Sequence, residues 1–182
     1  AHLRVMYYFK GKIPIWFRGD STLLDEKANL KTSLRRRFLK KVYKYVDKTL
    51  YVGEANKAYF EAHGLRNQQL VYAPHAVNND FFIEESAKIS EQAIANFRAH
   101  HNISNEAFVY LFAGKFIEKK APRELSQAFQ NSALCNTSKV VLLMVGSGVL
   151  EKELKQLAHD NSNIVFSPFK NQKEMPLLYK AC

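Results

Sequence analysis

Two stretches decide the fold: Phe108-Val109-Tyr110-Leu111-Phe112-Ala113-Gly114-Lys115 and Val140-Val141-Leu142-Leu143-Met144-Val145-Gly146-Ser147-Gly148. Each is a continuous apolar run that stops at a glycine. Runs of this kind read as strands buried on both faces, as in a parallel sheet whose crossovers cover both sides. A helix is expected after each. The first starts near Pro122, where proline occupies its tolerated first-turn position, and the second runs from Leu150 to Ala158. A shorter strand, Ile164-Val165-Phe166, precedes a helical start near Lys173. Three strand–turn–helix units predict half of an open, doubly wound sheet, whose ligands bind beyond the carboxyl ends of the strands.

The same alternation appears upstream. Ile13-Pro14-Ile15-Trp16-Phe17 reads as a strand closed by the polar turn Arg18-Gly19-Asp20-Ser21, and Thr49-Leu50-Tyr51-Val52 as a second strand. Gly53 opens a helix from Glu54 to His63, and Gly64 stands just past its end, where a left-handed residue is favoured. Leu70-Val71-Tyr72-Ala73 is a third strand, closed by Pro74. Residues 78–106 are mostly polar, with a helix around Ile89, Ala93, Ile94 and Phe97. The fold class is therefore α/β, with two Rossmann-like half-domains built on parallel sheets.

Composition narrows the functional classes. With 47% hydrophobic and 24% charged residues, the chain is globular rather than disordered. The cysteines Cys135 and Cys182 form neither a metal-ligand spacing nor a disulfide framework. No apolar run is long enough to span a bilayer and no signal peptide opens the sequence, so a cytoplasmic protein is expected. The net charge of +10 is concentrated at one place. Residues 1–75 hold 15 basic and 6 acidic side chains, a balance of +9, against +1 for the remainder. Lys31, Arg35, Arg36, Arg37, Lys40, Lys41, Lys44 and Lys48, opposed only by Asp47, contribute +7.

That basic stretch reads as a helix. At about 100° per residue, Leu34, Phe38, Leu39, Val42, Tyr43, Tyr45 and Val46 share one half of the wheel. Arg36, Arg37, Lys40, Lys41, Lys44 and Lys48 share the other, while Lys31 and Arg35 fall within the apolar arc and can extend their stems outward. Three readings fit: a solvated face, a surface for anionic lipid, and a nucleic-acid contact. Nucleic acid is not expected, because the aromatic side chains lie on the apolar arc rather than among the cations.

Chemistry gathers at the two glycine turns. Gly146-Ser147-Gly148 between strand and helix lets backbone N–H groups approach a phosphate, although tight turns use glycine in any case. Lys115, directly after a buried strand, points toward the crevice, with Lys119 and Lys120 following. Cations fixed there would stabilise a diphosphate, bound or departing; solvated loop lysines are the plain alternative.

Phe112 to Pro122 resembles the opening of the nucleotide-binding domain in glycosyltransferase family four. A glycine, a basic residue and a second lysine fall at the family's spacing in Gly114, Lys115 and Lys120. Val145, Gly146, Gly148, Leu150 and Leu154 resemble its next segment; Val165, Phe166, Phe169, Asn171 and Met175 to Tyr179 resemble the one after. Val71 to Asn78, with Phe81, is similar to the link between the family's two domains, and Val52 to Tyr59 to the end of its acceptor-side domain. The resemblance implies a GT-B fold truncated at both ends. Residues 1–76 would be the C-terminal part of the acceptor-side domain and 77–106 an interdomain linker and helix. Residues 107–182 would be the N-terminal part of the nucleotide-sugar domain.

It also implies transfer of a hexose from a nucleotide-diphosphate sugar, with retention and without metal or cofactor, to a lipid-linked, polysaccharide or glycoconjugate acceptor. The donor diphosphate would be held by Gly114, Lys115, Lys120, Gly146, Ser147 and Gly148. Arg18 or Asp20 would stand where many members carry a histidine. Arg36, Arg37, Lys40, Lys41, Lys44 and Lys48 would meet an acceptor or the inner face of a membrane, and a homo-oligomer is compatible with the edges left by truncation. The family's paired acids are expected beyond Cys182. The competing readings are a non-enzymatic module whose basic helix binds anionic membrane or nucleic acid, and a folded but inactive remnant.

Other motifs carry less. Arg18-Gly19-Asp20-Ser21 spells an integrin-recognition tetrapeptide, without secretion signal or disulfides to support an extracellular role. His100 and His101 are adjacent and would diverge on a helix, and no metal is expected. Glu151 and Glu153 are read as first-turn acids that complement a helix dipole.

Overall fold

The computed structural model describes residues 2–26, 28–137 and 139–182, and the chain divides into two units, Ala1–Val77 and Asn78–Cys182. In the first, helix α1 (His2–Phe9) precedes strand β1 (Trp16–Arg18). Helix α2 (Leu30–Val42), strand β2 (Lys48–Tyr51), helix α3 (Glu54–Ala62) and strand β3 (Leu70–Tyr72) follow. The strands are parallel in the order β1-β2-β3. Tyr43, Val46, Tyr59, Phe60 and Leu65 form the core beneath this sheet, with Phe17, Leu39, Tyr51 and Leu70 against them.

Local chemistry sets the ends of these elements. Asn29 caps α2 by accepting from the Thr32 N–H at 2.8 Å. Gly64, at φ +91°, reverses the chain after α3, and the Leu65 N–H returns to the Phe60 carbonyl at 3.1 Å.

The basic helix differs from expectation at its end. It stops at Val42, and a 3₁₀ turn, Tyr43–Tyr45, brings the ring of Tyr43 into the core before Val46 turns extended. Lys48 therefore opens β2 rather than extending the basic face, and its ammonium donates to the Gln68 carbonyl at 2.9 Å. The apolar arc is also incompletely buried: Leu39, Tyr43 and Val46 pack inward, whereas Leu34 and Phe38 stay exposed. Helix α1, which the sequence reading did not anticipate, contributes only Met6 to the described core.

The second unit contains helix α4 (Asn79–Ala87), helix α5 (Glu91–His100) and strand β4 (Phe108–Ala113). Helix α6 (Pro122–Gln130), strand β5 (Val140–Val145), helix α7 (Glu151–Leu157), strand β6 (Ile164–Ser167) and helix α8 (Met175–Ala181) complete it. Its sheet is parallel, in the order β4-β5-β6. Alternate residues of central β5 serve opposite faces. Leu142 and Met144 join Phe116, Phe129 of α6 and Leu154 of α7. Val141, Leu143 and Val145 join Ile103, Val109, Phe97 of α5 and Leu178 of α8. Helices thus cover both faces, as doubly wound sheets require. Each fully buried leucine stabilises the unit by about 1.5–3 kcal/mol.

Strand β4 has the expected bounds but not the expected burial on both faces. Among the described residues it pairs only with β5, and Phe108 and Tyr110 are 60% and 46% exposed. The segment expected as linker and helix, 77–106, contains both α4 and α5, and both pack against α8.

Candidate functional site

The site lies beyond the carboxyl ends of β4, β5 and β6. There the hydrogen-bond ladder of the sheet continues into the loops. The Gly114 N–H donates to the Val145 carbonyl at 2.9 Å, and the Phe116 N–H to the Ser147 carbonyl at 2.9 Å. The Leu150 N–H donates to the Phe116 carbonyl at 3.1 Å, and the Gly146 N–H to that of Ser167 at 3.1 Å. Phe116 is the hub of this stitching, with its ring buried in the core.

This contact is why glycine stands at two positions. A Cβ on Gly146, whose φ is +146°, would fall 1.9 Å from the Gly114 carbonyl oxygen. A Cβ on Gly148 would fall 2.4 Å from that of Phe116. The missing side chains make room for the neighbouring loop, a reason the sequence reading did not assign. The loops enclose a cavity of about 290 Å³ lined by Gly114, Lys115, Ser147, Phe169, Lys170 and Met175, among others. Gly146 and Gly148 shape its floor without lining it. Lys120 ends a 3₁₀ turn, Glu118–Lys120, and does not line it either.

The polar resources of the cavity are specific. Among the described residues, the backbone N–H groups of Lys115 and Ser147, which line it, and of Gly148 and Val149 in the turn that follows have no backbone acceptor. The side chains of Lys115 and Ser147 are exposed beside them. Lys170 pairs with Glu174 at 3.2 Å. The Asn171 N–H and then Lys170 hold the Glu174 carboxyl below its ordinary range. Phe169, 69% exposed, offers a flat apolar face at the rim. In the sequence Phe169 and Met175 stand out only as points of resemblance and Lys170 not at all; an aromatic–lysine pair just past a strand is the signal available there.

Arg123 braces the same end. It donates to Glu118 at 3.0 Å and 3.1 Å and to Glu153 at 2.5 Å and 2.9 Å. The Glu153 bonds, then those from Glu118, hold its guanidinium above the ordinary arginine range. Glu153 is thus engaged across to α6 rather than simply complementing the dipole of its own helix, while Glu151 pairs with Lys155 at 2.8 Å. Ala121, left-handed at φ +50°, makes the corner between the 3₁₀ turn and α6. Neither Arg123 nor this corner was anticipated.

In the first unit, Arg18 ends β1 and donates to the Pro74 carbonyl at 3.4 Å, and Asp20 is exposed in the loop that follows. Asn56, 2% exposed, ties that loop to the end of β2: its Oδ1 accepts from the Val52 N–H at 3.1 Å and its Nδ2 donates to the Ser21 carbonyl at 2.7 Å. The cations of α2 separate into two groups. Arg36 donates to Glu26 at 2.6 Å, and Arg35 lies 3.7 Å from the same carboxylate. Arg37, Lys40, Lys41 and Lys44 are exposed.

Residues 93–182 match the family model described as glycosyl transferases group 1. No curated protein matches the sequence significantly. Several solved structures share the fold. HepE of Anabaena, crystallised with UDP and glucose, aligns with TM-score 0.71 and 15% identity over 99% of this chain and 49% of its own. WaaG, a glycosyltransferase involved in lipopolysaccharide biosynthesis, aligns with TM-score 0.66 and 15% identity over 96% of this chain and 53% of its own. A glycosyltransferase from Rickettsia africae ESF-5 aligns with TM-score 0.56 and 14% identity over 97% of this chain and 52% of its own. The chain therefore spans about half the length of these proteins.

Proposed function

Because residues 93–182 match the glycosyl transferases group 1 family model, we propose that the second unit binds the diphosphate of a nucleotide sugar and takes part in glycosyl transfer. The observation that carries this is the cavity beyond β4 and β5, lined by Lys115 and Ser147, with the N–H groups of Ser147, Gly148 and Val149 left without a backbone acceptor in the turn after β5. Donors fixed by folding need no reorganisation as charge develops on a leaving diphosphate. Lys115 contributes a cation at the strand end, and Lys120, outside the cavity's lining at the end of the 3₁₀ turn, is the second cation the reading calls on. HepE has also been crystallised with UDP-glucose, which makes a uridine nucleotide the first donor to test.

The finer reading is transfer of a hexosyl group with retention and without a bound metal, the two lysines taking over the neutralising role of a cation. Arg18 and Asp20, at the carboxyl end of the first sheet, would bind sugar hydroxyls or phosphate. The acceptor would be lipid-linked, a polysaccharide or a glycoconjugate. Arg37, Lys40, Lys41 and Lys44 would hold the first unit to an anionic membrane, each cation contributing about 1 kcal/mol near such a surface. Among the described residues no helix is long and apolar enough to cross a membrane.

Calorimetric titration of the chain with UDP-glucose tests the reading. Saturable binding is expected, weakened about tenfold or more by Lys115→Ala and less by Lys120→Ala. Absence of heat with UDP and UDP-glucose, together with tight salt-sensitive binding of RNA or anionic vesicles, would favour the non-enzymatic module instead. Where turnover is obtained, the anomeric configuration of the product decides between retention and inversion.

A further inference from the structure

A second polar cavity, about 470 Å³, lies in the first unit between the end of α2 and the turn after α3, lined by Lys40, Tyr43, Lys44, Gly64, Arg66 and Gln69. It opens by the starts of β2 and β3, since Gln69 immediately precedes β3 and Lys44 lies in the turn that leads to β2. Arg18 and Asp20 lie at the opposite, carboxyl end of this sheet. The cavity is thus separate from the surface assigned above to sugar chemistry.

Its lining contains three cations and no acid. Lys40, in the last turn of α2, and Lys44, in the 3₁₀ turn that follows, both line it. Arg66 approaches from the other side because the chain reverses at Gly64. That reversal also positions Lys40: a Cβ built on Gly64 would lie 3.6 Å from the Lys40 Cγ, so the lysine stem runs over the open face of the glycine. Gln69 is fixed from behind, its Nε2 donating to the Val46 carbonyl at 2.8 Å and its Oε1 accepting from the Arg66 N–H at 3.1 Å. Asp47, the nearest acid in sequence, is turned away and accepts from the Ile15 N–H at 2.7 Å.

Three other arginines of the molecule are engaged internally. Arg36 is bound to Glu26, Arg123 to Glu118 and Glu153, and Arg98 to the carbonyls of Ala181, Ser104, Asn105 and Ala107. Among the described residues, none of Lys40, Lys44 and Arg66 has a carboxylate partner. Three like charges around one concavity repel one another unless an anion stands between them.

We infer that Lys40, Lys44 and Arg66 form a binding site for a phosphate group, distinct from the donor site. The guanidinium of Arg66 matches two phosphate oxygens, and the two ammonium groups act as point charges on the remainder. A phospholipid headgroup and a soluble phosphorylated molecule share this chemistry. The inference goes beyond the membrane reading: Arg66 is not on the basic helix, and Arg37 and Lys41 lie outside the cavity.

The test uses the 182-residue chain, with inorganic pyrophosphate for the soluble source and phosphatidylcholine vesicles containing phosphatidic acid for the lipid source. Saturable binding is expected with at least one probe, weakened about tenfold by Arg66→Gln and by Lys44→Gln and left nearly unchanged by Lys31→Gln, a change on α2 outside the cavity. All three side chains are exposed, and thermal unfolding of each variant checks that the fold is kept. Binding of pyrophosphate in this pattern identifies a soluble phosphate site, and binding of vesicles alone identifies a headgroup site. Either outcome upholds the inference. Failure of both probes to bind, or an equal loss from Lys31→Gln, overturns it, the latter by reducing the effect to general surface charge. Titration with UDP-glucose, unaffected by Arg66→Gln, keeps this result separate from that for the donor site.

Discussion

The Gly114 carbonyl oxygen occupies the space where a side chain on Gly146 would begin, 1.9 Å from the position of its Cβ. Any residue but glycine at 146 must push the two loops apart and also adopt φ +146°. Gly146→Ala is expected to destabilise the protein by about 2–4 kcal/mol. Gly53→Ala is the control: its backbone is extended, at φ 178°, and nothing lies within 4 Å of its Cβ position. That change is expected to cost less than about 1 kcal/mol. Urea unfolding of the two variants checks the contrast.

Asn56 satisfies two backbone groups at once, the Val52 N–H and the Ser21 carbonyl. Asn56→Leu leaves both unpaired in a buried setting and is expected to cost about 2–4 kcal/mol. Hydrogen exchange should reveal the lesion locally, with the Val52 amide losing protection before those of β5.

Leu143 is 0% exposed at the centre of β5. Leu143→Ala removes its contacts with the α5–α8 side of the sheet and is expected to cost about 2–5 kcal/mol, read from the shift in the urea midpoint. An undiminished midpoint would contradict the two-sided packing described for β5.

Arg123 and Glu153 give a prediction about pH. Arg123 holds the Glu153 carboxyl below its ordinary range. A depressed carboxylate contributes stability that is fully present above the unfolded value, about 4.3 for glutamate, and is lost as pH falls through the lower native value. The stability curves of wild type and Arg123→Gln are therefore expected to differ at neutral pH and converge on the acid side. The pair is exposed, so added salt should narrow the neutral-pH difference. A constant gap across pH would show that Arg123 acts through packing alone.

Much of the architecture was legible because its causes are local. The bounds of β4 and β5, the stop at Gly64 and the start of α6 at Pro122 each follow from a run of side chains or from one residue with restricted φ. What escaped depends on residues distant in sequence. Asn56 acts on Ser21, 35 positions away, and Arg123 on Glu153, 30 positions away. The exposure of Phe108 and Tyr110 follows from strand order, which an apolar run does not encode. The site shows the same division. Gly114, Lys115 and Ser147 could be placed at strand ends from sequence, but the role of Gly146 and Gly148 required the neighbouring loop. The cations of α2 could be assigned to a face, but the carboxylate that engages Arg36 comes from a loop before the helix.

The anchoring of Phe116 bears on how a ligand would be received. Its ring is held in the core while its backbone binds Ser147 and Leu150, so the loops at the cavity floor cannot part without disturbing Phe112 and Phe166 as well. The conformational entropy of these loops is consequently surrendered during folding and not at the moment of capture. Adaptation to ligands of different shape then falls to the rim, where Phe169 is exposed and Lys170 is held by a surface carboxylate. The floor acts as a fixed gauge for one chemical group, and the rim is where variation can change what else is admitted.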